Sequence, residues 1–280
     1  CVLSANLGQA PARQACLKAG LNYEVVCTTV NKVCASGMKA IQMGAMSIMC
    51  GMRSVVVCGG MENMSQSPFY LPEQRFGKRM GDGKVIDGMI KDGLWDPYKN
   101  VHMGNCAELC AKTYEISREE QDNFSADSFQ KLIQAHTAGH LKNEIVPVSV
   151  PNTQKIVSED DYAIKKPDLS KMRALRPAFQ KEGGTVTAGN ASSIADGASA
   201  VVLVSGLYFK KFLQYRWPDA QVVTIRAFND AARQPEWFTT APSDAIKKTL
   251  AQCSLTLDDI DFFEINEAFS VVALANAKIL

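Results

Sequence analysis

Residues 30–58 read VNKVCASGMKAIQMGAMSIMCGMRSVVVC, and this stretch decides what the chain is organised around. A short polar turn, Asn31-Lys32, leads to Cys34, and helix-forming and small residues then run to Cys50. Gly51 ends the run, Arg53 follows, and the apolar string Val55-Val56-Val57-Cys58 is closed by Gly59-Gly60. That order predicts a helix, a terminating glycine and a buried strand. Lys39 is the one charge in the helical part, so the helix is expected to be buried nearly all round. Cys34 falls at or near its first turn, where unpaired N–H groups and the helix dipole favour an anion. A thiol there is biased toward thiolate, the nucleophilic form, whereas most free cysteines are inert packing residues.

Composition narrows the field. Of 280 residues, 46% are hydrophobic and 21% charged, as in an ordinary globular protein. The net charge of +1 gives no bulk electrostatic argument for nucleic acid or a membrane surface. No apolar run is long enough to span a bilayer. Nine cysteines in irregular spacing argue against a disulfide framework and for a reducing compartment. Cys106 and Cys110 would share a helix face, but no second pair or histidine beside them supports a metal site.

Further along, residues 61–181 are rich in charge, proline and glycine, and read as a large insertion with its own helices. Helical patterns cover 103–114 and 117–141, the second opened by Ser117 with Glu120 three residues later, a capping-box signal. Residues 145–150 alternate like a strand. Strand character returns at 185–187, 198–204, 221–228 and 262–265, with helices at 207–215 and 243–253 between them. Alternating strands and helices indicate an α/β sheet with helices on its faces.

Asn31-Lys32-Val33-Cys34-Ala35-Ser36-Gly37-Met38-Lys39-Ala40 resembles the nucleophile segment of the thiolases. Gly59-Gly60-Met61-Glu62-Asn63-Met64-Ser65, His102-Met103-Gly104, the run from Gly184 to Ser192 with Asp196-Gly197-Ala198, and Asn266-Glu267-Ala268-Phe269 match the same family in the same order. The resemblance implies the layered αβαβα thiolase fold, two similar halves with an inserted loop domain. On that reading the first half spans 1–60 and 185–206, the loop domain 61–184 and the second half 207–280. The helix after Cys34 would be one of two central helices held between sheets.

The resemblance also implies the activity, that of an acetyl-CoA C-acetyltransferase: condensation of two acetyl-CoA to acetoacetyl-CoA and the reverse thiolysis. Cys34 would carry the acetyl group and Asn266 would hold a water at an oxyanion site. A turn asparagine is the bland alternative for Asn266. His102, Met103, Phe129 and Phe269 would border the acyl and pantetheine pocket. Lys166, Asp168, Lys171 and Ser192 would meet coenzyme A, where a solvated basic loop is the alternative. A general-base role for His102 is not part of the family pattern.

No cofactor is implied beyond the coenzyme A thioester. Potassium-binding members use carbonyls matching Ala188, Gly189 and Ala191 together with a tyrosine, but Phe129 stands at the tyrosine position without a hydroxyl. The family's Gly-His-Pro motif, with its catalytic histidine, and its Cys-x-Gly-Gly-Gly motif, with its second cysteine, do not occur in these 280 residues. The stretch is therefore expected to lack segments at both ends and to be nearly inactive by itself. A longer-chain 3-ketoacyl-CoA thiolase, or a non-catalytic coenzyme A-binding or assembly form, are the competing readings. A homodimer or homotetramer and the mitochondrial matrix, with the cytoplasm as alternative, complete what the resemblance implies.

Overall fold

The computed structural model describes residues 1–165 and 168–280. It forms two compact units, one of Cys1–Asn100 with Ile194–Phe228, the other of Val101–Ser193 with Asn229–Leu280. These divide the chain at other points than the halves and insert expected above; residues 61–100 fall in the first unit and 101–184 in the second.

In the first unit the Val55–Asn63 strand pairs antiparallel with Asp196–Val204, from Val55 opposite Val204 to Asn63 opposite Asp196. The strand runs five residues past Cys58, through the two glycines expected to close it. Gly59 faces the Ser199 carbonyl so closely that any Cβ there would collide with it. The absent side chain lets the ladder continue instead of ending it. Beyond Asn63, the Ser65 amide (3.0 Å) and hydroxyl (2.5 Å) donate to the Asp196 carboxylate, holding that acid below its usual range.

The Ser36–Met49 helix lies on this ladder. Gly44 makes the approach close: a Cβ there would meet Cys58 Sγ at 2.6 Å and Leu203 Cδ1 at 3.0 Å. Ser36, Gln42, Gly44 and Ala45 are buried. Burial nearly all round is not what the fold gives, because the helix has one packing layer within its unit. Met38 stays 64% exposed and Met49 75%. The helix is apolar on more faces than its own unit covers.

The second unit is helical: Met103–Thr113, Arg118–Thr137, Ala241–Cys253 and Ser270–Ile279. Ser117 caps the second of these, its Oγ accepting from the Glu120 amide (3.1 Å) while Glu120 Oε2 accepts from the Ser117 amide (2.6 Å). The core is Ala107, Cys110, Ala111, Ile116, Val186, Phe269, Val271, Val272 and Ala275. Cys110 therefore packs as a small apolar residue, and Cys106, four residues earlier, is buried too.

Several expected strands do not form ladders among the described residues. At 185–187 side chains capture the amides first: Glu108 takes those of Thr185 and Val186, and Asn190 takes that of Thr187. Residues 221–228 and 262–265 join no ladder, and Val223 and Phe262 are each 89% exposed. Only Val148–Ser149 of the 145–150 pattern pairs, with Ile156–Val157. The 207–215 helix is a single turn, Gly206–Tyr208, followed by a wide turn over Phe209–Leu213.

Candidate active site

Cys34 stands on a tight elbow. Its helix begins at Ser36, so Cys34 precedes the N-cap residue Ala35 and lies near the first turn but outside it. Val33 has φ +47°, in the left-handed region where a β-branched side chain is strained. Such a conformation costs about 1–3 kcal/mol and persists only where neighbours over-determine it. Here they do. Asn31 Oδ1 accepts from the Val33 amide (2.8 Å), and Ser36 Oγ accepts from the Lys32 amide (2.8 Å) and donates to the Val33 carbonyl (2.6 Å).

The residue is exposed, yet enough protein surrounds the sulfur that burial pushes its thiol upward, the opposite of the thiolate bias expected from a helix start. A hydrogen bond from its own backbone amide works against that shift, and the negative charge of Glu62 adds to it. The physical reason is chiefly the crowding of protein around the sulfur, to which the acidic neighbour adds. A base must take the proton before this sulfur can attack.

In the second unit, His102 caps the Met103–Thr113 helix, Nδ1 accepting from the Gly104 amide at 3.0 Å. Its ring stacks on Phe179 (centroids 4.7 Å apart), and Phe179 meets Phe269 edge-on at 6.2 Å. Burial lowers the His102 pKa, consistent with a neutral imidazole whose Nδ1 lone pair serves the cap. Gly104 has no room for a Cβ against the Phe179 ring. Met103 packs against the same core as Phe179. His102 and Phe269, far apart in sequence, thus share one apolar wall through Phe179.

The 185–192 loop is fixed to this wall by buried polar groups. Glu108, itself buried, accepts from Thr185 N (2.9 Å), Thr185 Oγ1 (2.9 Å) and Val186 N (2.9 Å). Asn190 Nδ2 donates to Asp122 Oδ1 (2.9 Å) and to the Thr185 carbonyl (3.0 Å). The Ser270 amide donates to the Asn190 carbonyl (2.8 Å) and the Ser192 amide to the Ala268 carbonyl (3.0 Å), tying the loop to the Asn266–Phe269 motif. Asn266 is exposed and makes no side-chain hydrogen bond among the described residues.

Lys166 lies outside the described residues. Asp168 caps the short Leu169–Met172 helix and pairs with Lys171 (3.1 Å); the Ser170 hydroxyl and Lys171 hold its carboxyl at about 2. Arg118 fastens this segment, Nη2 donating to the Met172 (3.1 Å) and Leu175 (3.0 Å) carbonyls. The potassium set does not fit well here. Phe129 packs against Tyr162 and offers no oxygen, and one of the two lone pairs of the Gly189 carbonyl accepts from Ser125 Oγ at 2.6 Å.

The family model described as the thiolase N-terminal domain matches residues 1–206, and that of the thiolase C-terminal domain matches 220–280. The chain belongs to the thiolase family. Acetyl-CoA acetyltransferase 2 of Arabidopsis thaliana is 54% identical over 282 residues, covering 100% of this chain and 69% of the relative. A Gibberella zeae relative named as a cytosolic acetyl-CoA acetyltransferase is 49% identical over 282 residues, covering 100% and 69%. The crystal structure of Acat5 thiolase from Ascaris suum in complex with coenzyme A matches with TM-score 0.88 and 41% identity, over 100% of this chain and 70% of that one. The fold is the thiolase fold.

Some residues that shape this thiolase's site carry no sequence signal. Phe179 sits in no motif, and Glu108 looks like one more charge on a helix. Glu62 and Asn31 lie inside family motifs, but nothing in their spacing shows which backbone groups they hold.

Proposed function

We propose that this thiolase is an acetyl-CoA C-acetyltransferase. The observation that carries the reading is the 54% identity, over all of this chain, to a relative named for that activity. In the proposed reaction Cys34 loses its proton to a base and its sulfur attacks the acetyl carbonyl carbon. The carbon–sulfur bond to coenzyme A breaks, and coenzyme A leaves with a proton. A second acetyl-CoA loses an α-proton, and the resulting carbanion attacks the acetyl-cysteine carbonyl. Acetoacetyl-CoA forms and the Cys34 thiolate is released. Both additions put negative charge on a carbonyl oxygen and need hydrogen-bond donors aimed at it. Asn266 is proposed to hold a water for one of these, and its unengaged, exposed side chain is free to do so.

His102, Met103, Phe129 and Phe269 are proposed as walls for the acyl and pantetheine parts, supported by the stacked wall His102, Phe179 and Phe269 form. Lys166, Asp168, Lys171 and Ser192 are proposed contacts for coenzyme A, the ligand in the Ascaris suum relative's structure. Asp168 would act by orienting Lys171, since a carboxylate held ionised repels phosphate. Assembly as a homodimer or homotetramer is proposed, to be measured by sedimentation. For the compartment, the cytosolic name of one relative supports the cytoplasm over the mitochondrial matrix and ketone-body metabolism, and fractionation with an antibody decides it.

The test uses the protein at full native length. Incubation with acetyl-CoA and peptide mapping is expected to find the acetyl group on Cys34, and Cys34→Ser to lower acetoacetyl-CoA thiolysis at least about a thousandfold. Label on another residue, or turnover surviving in Cys34→Ser, overturns the nucleophile. A higher rate on a long-chain 3-ketoacyl-CoA than on acetoacetyl-CoA overturns the short-chain assignment.

A further inference from the structure

The strained elbow does not hold itself up unaided. Asn31 uses both ends of its amide: Oδ1 accepts from the Val33 amide (2.8 Å), and Nδ2 donates to the Val2 carbonyl (3.2 Å). Val2 is in turn gripped from the other side. Its amide donates to Glu62 Oε2 at 2.7 Å, and the next amide, of Leu3, donates to Glu62 Oε1 at 2.9 Å. Leu3 is buried, and its Cδ2 packs close to Gly93, where an added Cβ would lie only 3.3 Å away. Glu62 is anchored by the long ladder, opposite Gly197. One chain of contacts therefore runs from the strand through Glu62, Val2 and Asn31 to Val33, the residue before Cys34.

We propose that Glu62 and Asn31 are positioning residues for the Cys34 sulfur: a two-pronged carboxylate clamp on the Val2 and Leu3 amides, relayed through Asn31, fixes the left-handed Val33 backbone that presents the thiol. This rests on the reading of Cys34 as the acyl carrier. A carboxylate accepting two consecutive backbone amides makes two charge-assisted bonds, stronger than neutral ones and directional. Holding a nucleophile within an ångström of its line of attack is worth orders of magnitude in rate. The clamp also has a cost for the chemistry, because the Glu62 charge disfavours the Cys34 thiolate. Placement and ionisation are thus set against each other by one side chain, and substitutions can separate them.

The experiment is done on the protein at full native length. Glu62→Asp keeps the charge but shortens the reach. Glu62→Gln keeps the length but removes the charge and turns one prong into a donor facing an amide. Both are expected to lower kcat about 10- to 100-fold with KM for acetoacetyl-CoA changed less than about twofold. Iodoacetamide alkylation of Cys34 at neutral pH is expected to speed up in Glu62→Gln and not in Glu62→Asp. Slower turnover in both variants with a more reactive thiol in Glu62→Gln alone is the signature, because loss of fold would relieve the burial of the thiol and quicken its alkylation in both. Asn31→Ser, which keeps an acceptor for Val33 and loses the donor to Val2, is the milder variant should either fail to fold. It is expected to lower kcat about 3- to 10-fold. If kcat in these variants stays within twofold of the parent while Cys34→Ser is inactive, the clamp is overturned and the nucleophile stands. If Cys34→Ser keeps its turnover, the reading beneath both falls.

Discussion

The 31–36 elbow and the 185–192 loop both belong to family motifs, yet they are held in opposite ways. The elbow is on the surface: Cys34 and Asn31 are exposed, Val33 sits in a left-handed conformation, and short polar bonds restrain it. The loop is buried at Val186, Thr187 and Asn190, and its amides end on the buried Glu108 carboxylate and the Asn190 side chain. One region leaves a reactive atom accessible and carries strain to do so. The other spends its polar groups on rigidity. Stability and chemistry are therefore expected to separate under substitution.

The sharpest way to break that contrast is at Glu108. Replacing it with Ala takes the charged acceptor from the half-buried Thr185 amide and from the Val186 amide in the core. The expected loss is about 3 kcal/mol in denaturant unfolding, since buried donors left without partners carry their full desolvation penalty. A loss below about 1 kcal/mol would mean that water or a shifted backbone replaces the carboxylate, and that the loop is not rigid in the sense argued. Cys34→Ala, by contrast, is expected to change stability by no more than about 0.5 kcal/mol, as exposed positions without a special contact do.

How much of this the sequence carries depends on the range of the interaction. Local signals are legible: Ser117 and Glu120 mark a helix start through contacts three residues apart, and that helix begins at Arg118 as the pattern says. The five motifs identify the thiolase family and fold. Ladder pairing is non-local and less legible. Residues 185–187 have strand composition, but a carboxylate from a distant helix takes their amides. The helix after Cys34 looks buried because composition reports what a face would tolerate, not what covers it. The thiol's direction of shift was unreadable for a similar reason: it follows from crowding and from Glu62, neither visible in the spacing around Cys34. Lys166, singled out from sequence, lies outside the described residues.

A smaller effect is expected at Ser36. Its Oγ accepts from the Lys32 amide and donates to the Val33 carbonyl, and the side chain is buried. Ser36→Ala is expected to cost about 1 kcal/mol, the typical worth of such a local bond. Unlike Glu108→Ala, it should also slow acyl transfer, because the lost bonds are those that hold the Cys34 elbow. If stability falls and turnover does not, the elbow's geometry is set elsewhere.

The smallest effect is the pH dependence of His102. Its Nδ1 can accept from the Gly104 amide only while the imidazole is neutral. Burial holds its pKa below the ordinary 6.5, so as pH falls the unfolded chain takes up the proton first. The unfolded state then binds more protons, and stability drops with falling pH. The contribution is whole above 6.5 and is lost below it, down through the depressed value of the folded protein. The difference between unfolding at about pH 7.5 and at about pH 5.5 should be larger in the parent than in His102→Asn, whose amide oxygen can cap the same helix without titrating. An equal difference in both proteins would show that the cap does not depend on this proton, and that the aromatic wall tolerates a charged imidazole against Phe179.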